Sequence, residues 1–186
     1  MPTLVELWLP IVVAAVFIFI ASSVIHMATP IHKSDARKLP NEDDVLAAMR
    51  QNGLAPGDYM FPFPASMAEM SSPAMLEKLK LGPVGHLTVR SPGSWGIGPA
   101  LMQWFAWTVL IGVLIAYVTT IVMPRGAPTM AVFRMTSAMA LSAYAFTNVT
   151  ASIWKGVRWS TTLKFVFDGV VYALLTGAAF AWLWPR

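Results

Sequence analysis

The sequence predicts an all-α membrane protein with four transmembrane helices and a small, mostly irregular polar insert between the first and second. Three observations carry this. Of 186 residues, 56% are hydrophobic and only 12% charged, whereas a soluble domain carries about 25% charged residues. Four runs are long enough to cross a bilayer core, which takes roughly 20 mainly apolar residues. Two of them carry small side chains at spacing four: Thr108, Gly112, Ala116 and Thr120, then Gly169, Ala173, Gly177 and Ala181. That spacing puts small groups on one helical face, the pattern by which membrane helices approach closely. The chain divides into a first span within 1–27, an extramembrane insert at 28–97, and spans two to four within 98–186.

Leu4 to Met27 is the first span, with the core IVVAAVFIFIA apolar on every face. Its apolar run exceeds the 7–15-residue core of a signal peptide and has no basic lead, so it is expected to be an uncleaved anchor. Pro10 falls in the first turns, where a missing N–H costs least.

The insert at 28–97 balances seven bases (Lys33, Arg37, Lys38, Arg50, Lys78, Lys80, Arg90) against seven acids (Asp35, Glu42, Asp43, Asp44, Asp58, Glu69, Glu77). Two short helices are signalled. Asn41 is placed to cap EDDVLAAMRQN, with acids in its first turn and Gly53 as its stop. Ser72 and Pro73 open AMLEKLKL, which stops at Gly82. Between them GDYMFPFP must be extended, because Pro62 and Pro64 forbid helix. HLTVR (86–90) reads as a short strand, paired with Asp58 to Phe61 in a small hairpin.

Pro99 to Met123 is the second span, with Trp104 and Trp107 suited to an interfacial aromatic belt. PRGAP (124–128) is a turn. Thr129 to Ile153 is the third span and the most polar, carrying Arg134, Thr136, Ser137, Ser142, Tyr144, Thr147, Asn148 and Thr150. Such a helix should be shielded by neighbours. WKGVRWS (154–160) is a basic, aromatic loop before the fourth span, Ser160 to Pro185.

Ten of the thirteen Lys and Arg residues fall in the insert or the loop before span four, counting Lys164. The positive-inside rule then puts the insert in the cytoplasm and both termini outside. The same rule accounts for the net charge of +4, so no nucleic-acid partner is expected. The absence of cysteine excludes disulfides, thiolate catalysis, thiolate-held iron–sulfur clusters and Cys-type zinc sites.

Ionisable groups inside a membrane need partners. Glu6 and Arg134 both fall near the outer face and form a candidate ion pair; the alternative is that Arg134 snorkels and Glu6 is solvated. His26, Asn148, Lys164 and Asp168 all fall near the inner face, with Lys164 and Asp168 four apart on one helix. Read functionally they form a polar pocket for a proton or a quinone-like headgroup; read structurally they lock spans one, three and four together. His26 is the single histidine near a span, a weak candidate ligand for a pigment magnesium or haem iron. His26, His32 and Asp35 have metal-binding side chains, but their spacing fits no specific metal pattern and reads as solvated surface. GSWGIG (93–98) is no phosphate loop and reads as a flexible lead-in to span two. No nucleophile–base set appears, and no catalytic residue or cofactor is identified.

Several stretches together carry a resemblance: SSVIHMATPIHKSD (22–35), LPNEDDV (39–45), GDYMFPFP (57–64), GPVGHLTVR (82–90), AVFR (131–134), SIWKGVRWSTTLKFVFDG (152–169) and WLWP (182–185). The chain resembles a family of small four-helix bacterial inner-membrane proteins of about this length, over nearly its whole extent. The resemblance implies four spans and no established reaction. It also suggests an accessory subunit of a photosynthetic reaction-centre complex, with lipid or pigment contacts. The expected function is a non-catalytic membrane subunit that packs against other membrane proteins of a larger complex. Its small-residue faces and proline-rich insert would serve as contact surfaces. The alternative is a small-ligand or quinone-handling protein, or a transporter-like homo-oligomer, using the inner-face polar cluster.

Overall fold

A computed structural model describes residues 1–93 and 96–186; Ser94 and Trp95, within the glycine-rich lead-in read at 93–98, lie outside the described residues. The chain forms two compact units: Met1–Asp35 with Ile97–Ile153 and Val157–Arg186, and Ala36–Gly96 with Trp154–Gly156. The helical unit therefore keeps residues 28–35, which the sequence assigns to the insert.

In chain order, helix α1 spans Trp8–Ser23, α2 Glu42–Gln51, strand β1 Gly57–Phe61, α3 Met67–Met70, α4 Pro73–Leu81, β2 Gly85–Val89, α5 Ile97–Val122, α6 Thr129–Tyr144, α7 Val149–Lys155 and α8 Trp159–Trp182. Among the described residues, three helical segments are long and apolar enough to cross a membrane: Val5–Ala28, Ile97–Val122 and Trp159–Trp182. The expected third span is not one continuous helix. It stops at Tyr144, passes through a 3₁₀ turn at Phe146–Asn148 and resumes as the short α7. Polar side chains make the break tolerable, since Thr147 donates to the Ala143 carbonyl and Asn148 to those of Tyr144 and Ala145. Freed backbone groups at membrane depth need such local partners.

The helical unit is an antiparallel bundle. Ile11 of α1 lies against Gly112 of α5, while Ser22 near the end of α1 meets Trp104 near the start of α5. In the same way Gly177 of α8 faces Phe133 and Ser137 of α6, and Gly169 faces Tyr144 and Ala145 at its end. One end of the bundle is tied by three contacts. Arg125 bonds Glu6, Gly126 N–H donates to Pro185 O, and Trp184 Nε1 donates to Pro124 O. Between the ends, Leu7, Ile18, Ile115, Val132 and Phe180 are fully buried.

Both small-residue seams are used inside the chain. A Cβ on Gly112 would stand 3.1 Å from Ile11 Cγ2, and one on Gly169 would stand 2.6 Å from backbone atoms of Tyr144 and Ala145. Thr108, Ala116 and Ala173 are buried; Thr120 and Ala181 are half-buried. The seams expected to serve a partner protein thus hold α5 to α1 and α8 to α6.

In the insert unit, Ser72 caps α4 by accepting from Met75 N, with Pro73 at the first helical position and Gly82 at φ +64° as the stop. Asn41 precedes α2 but makes no side-chain cap bond; it sits in the left-handed region at φ 47°. A further turn, α3, is capped by Ser66, which accepts from Glu69 N. Strands β1 and β2 pair antiparallel with Tyr59 opposite Leu87, and Thr88 Oγ1 donates to Asp58 Oδ1 across them.

Candidate functional site

The bundle end opposite Arg125 carries the polar chemistry. Here α1 runs into a π-helical turn, Val24–Ala28, a local widening found often at functional sites. Ser22 accepts from His26 Nδ1 at 3.2 Å through its carbonyl, which aims Nε2 away from α1. The helix ends at Thr29, whose backbone is extended (φ −102°, ψ 157°), as expected before Pro30. Thr29 Oγ1 donates back to Ile25 O. A tight turn follows, with Lys33 N bonded to Pro30 O and Asp35 N to His32 O. This reversal lays the His32 ring flat on His26, centroids 4.1 Å apart and planes 9° apart.

Asp168 comes from α8, where the bare face of Gly169 lets the helix sit against the end of α6. Its Oδ2 stands 3.0 Å from His32 Nε2 and 3.7 Å from His26 Nε2. The side chains differ in access: Asp168 is 2% exposed, His32 9% and His26 38%. His32 Nδ1 is 2.6 Å from Asp35 Oδ2, and Lys164 Nζ holds the other Asp35 oxygen at 2.8 Å. Lys164 also donates to Ser34 Oγ, and Arg158 to the Ser34 and Asp35 carbonyls. Burial pushes the Asp35 carboxyl up, but the bonds to Lys164 and His32 outweigh it and leave Asp35 below its ordinary range. The result is a chain of charges and rings, Lys164–Asp35–His32–Asp168, with His26 stacked beside it.

This corner lines a cavity of about 550 Å³ walled by Ser22, His26, Trp104, Asn148, Phe165 and Asp168, among others. Its inner wall is a triangle of aromatic rings: Trp104, Tyr144 and Tyr172 have centroids 5.8 to 6.3 Å apart. Trp104 Nε1 is fixed by Ser22 Oγ at 3.1 Å. The cavity is therefore mostly apolar and aromatic, with Ser22, Ser23, Thr147, His26, Asp168 and Asn148 among its polar groups.

No family model, curated protein or solved structure matches this chain.

Of the residues picked from sequence, His26 and Asp168 meet directly, and Asn148 lines the same cavity while bonding the carbonyls of α6. Lys164 pairs with Asp35 instead of its helix neighbour Asp168, because Asp168 points into the bundle and Lys164 toward the Pro30 turn. Glu6 is held by both its oxygens, at 2.6 and 2.7 Å, but by Arg125 and not by Arg134. Arg125 lies on the turn at the same end as Glu6, whereas Arg134 is exposed on α6. His32 and Asp35, read as solvated surface, are central to the site. A signal for them existed: a membrane-buried acid needs a partner, and a Thr-Pro step three residues after His26 is placed to fold the second histidine back.

Proposed function

We propose that the chain is a multi-pass membrane protein that binds a small amphipathic molecule with a flat polar head, of the quinone class, in the cavity at the histidine end of its bundle. The supporting observation is the cavity itself. Its volume lies within the roughly 300–1,000 Å³ of small-molecule sites, and a mainly aromatic wall with a few convergent polar groups is the usual form of such sites. Trp104, Tyr144 and Tyr172 offer ring faces and edges for stacking a flat head. His26, at the rim, and the buried Asp168 are placed to bond a carbonyl or hydroxyl.

In this reading α6, its turn and α7 cross the membrane together as the fourth element of the bundle. The positive flank of Lys33, Arg37, Lys38, Lys155 and Arg158 faces the cytoplasm of a bacterial inner membrane. The experiment is titration of the detergent-purified protein with decylubiquinone, followed by tryptophan fluorescence. Saturable quenching is expected, reduced in Trp104→Phe and weakened in Asp168→Asn. Quenching that is linear in added quinone, or unchanged by both substitutions, would overturn the proposal.

A second reading, an accessory subunit of a larger membrane complex, including a photosynthetic one, draws support from the insert unit. There Phe63 is 70% and Met67 79% exposed, large apolar groups fit for a protein partner or lipid. A copurifying membrane protein in native mass spectrometry, lost on Phe63→Ser, would favour it.

A further inference from the structure

We propose that His26, His32 and Asp168 bind a divalent first-row transition-metal ion through the two Nε2 atoms and the Asp168 carboxylate, with open coordination positions on the cavity side. The three donor atoms all lie within 4.8 Å of one another. Ligands at about 2.1 Å from a common ion sit roughly 3.0 to 3.4 Å apart in octahedral or tetrahedral geometry. The His32–Asp168 and His26–Asp168 separations of 3.0 and 3.7 Å are close to that, and the two rings, stacked 9° from parallel, must splay at the more exposed His26 for both Nε2 atoms to reach one ion.

The hydrogen-bond pattern argues for an ion more strongly than the distances do. His26 Nδ1 faces the Ser22 carbonyl, and His32 Nδ1 faces the Asp35 carboxylate. Both acceptors require N–H at Nδ1, so each neutral imidazole turns a lone pair outward at Nε2. Both Nε2 atoms lie beside the same buried carboxylate. With those tautomers three acceptors meet, and among the described residues His32 Nε2 and both Asp168 oxygens find no donor. Leaving such groups unpaired in a buried site is costly. One divalent cation satisfies all three groups.

The surroundings fit as well. A metal-bound histidine usually gives its other N–H to a carboxylate or carbonyl, which fixes its tautomer and orientation. His32 does this to Asp35 and His26 to Ser22, and Lys164 anchors Asp35 in turn. Two histidines and one carboxylate, with positions left open, form a set used by reactive iron(II) and zinc sites, unlike closed structural sites.

The inference does not depend on a cavity ligand, and its test uses none. The protein is purified with a non-histidine affinity tag, its metal content is measured, and the chelated form is titrated with cobalt(II) while visible absorption is followed. About one ion per chain and a saturable d–d spectrum are expected. His32→Gln should abolish the spectrum. Asp35→Asn, which touches no ion, should weaken cobalt binding about 10- to 100-fold. Arg125→Gln, at the opposite end of the bundle, should bind normally. A wild-type protein that is helical and melts cooperatively, yet takes up substoichiometric metal and gives the same spectrum as His32→Gln, would overturn the proposal. It would leave an imidazolium–carboxylate pair in its place. A failed quinone titration with intact metal uptake would refute the cavity reading alone.

Discussion

Replacing Gly169 with alanine adds one methyl group where α8 meets the end of α6. An ideal Cβ there stands 2.6 Å from the Ala145 Cα and N and from the Tyr144 carbonyl carbon. All three are backbone atoms, so no side chain can rotate away. In an open helix the same change is favourable by up to about 1 kcal/mol. Here the two helices must separate, and forcing a methyl group into a close-packed contact costs about 1–3 kcal/mol, occasionally more. The net expectation is a loss of about 1–2 kcal/mol. For a chain of this size 1 kcal/mol moves the midpoint by roughly 2–4 °C, so the melting temperature in detergent should fall by roughly 2–8 °C. Gly98→Ala is the matched control, because among the described residues nothing lies within 4 Å of its added Cβ; it should be neutral or slightly stabilising. A Gly169→Ala protein that melts at or above the wild-type temperature would refute the close approach of α8 to α6.

Other expectations test separate parts of the structure. In a double-mutant cycle Glu6→Gln and Arg125→Gln should be non-additive, with a coupling that shrinks as salt rises, while Glu6→Gln and Arg134→Gln should simply add. Ser72→Ala removes the cap of α4 and should cost about 1 kcal/mol locally, read as faster amide exchange at 73–76. Asn41→Gly removes no cap bond and relieves a positive φ, so amide exchange in the first turn of α2 should not quicken. Trp104→Phe gives up the bond to Ser22 Oγ and should lower stability by about 1 kcal/mol beyond the loss of ring area.

The sequence carried the helical architecture well where the signal was local. Apolar length alone marks α5 and α8, and the glycines at 112, 169 and 177 mark close contacts because no other residue leaves backbone bare. What spacing cannot say is which helix fills the gap; here it is a neighbour in the same chain, leaving less of those faces for a partner. The site was half legible. Asp168 and His26 stand out as polar groups beside apolar runs, but their common neighbour is His32, which belongs to a polar stretch resembling ordinary loop. Its position depends on the π turn and on Thr29 and Pro30 reversing the chain, a tertiary event without periodicity. Lys164 and Asp168 share a helix face by index, yet one reaches out to Asp35 while the other points inward. The break after Tyr144 was masked by composition, since the same Thr and Asn residues that make a span look polar also cap its loose carbonyls.

The fold-back of residues 29–35 onto α8 is the claim on which the site rests, and the cysteine-free chain allows a direct measurement. His32→Cys combined with Asp168→Cys, treated in native membranes with a short bis-methanethiosulfonate cross-linker, should join efficiently within one chain. A cysteine at position 125, at the opposite end of the same bundle, paired with position 168 serves as the comparison. If the 32–168 pair links no better than the 125–168 pair, His32 does not lie on Asp168 and the site is not assembled.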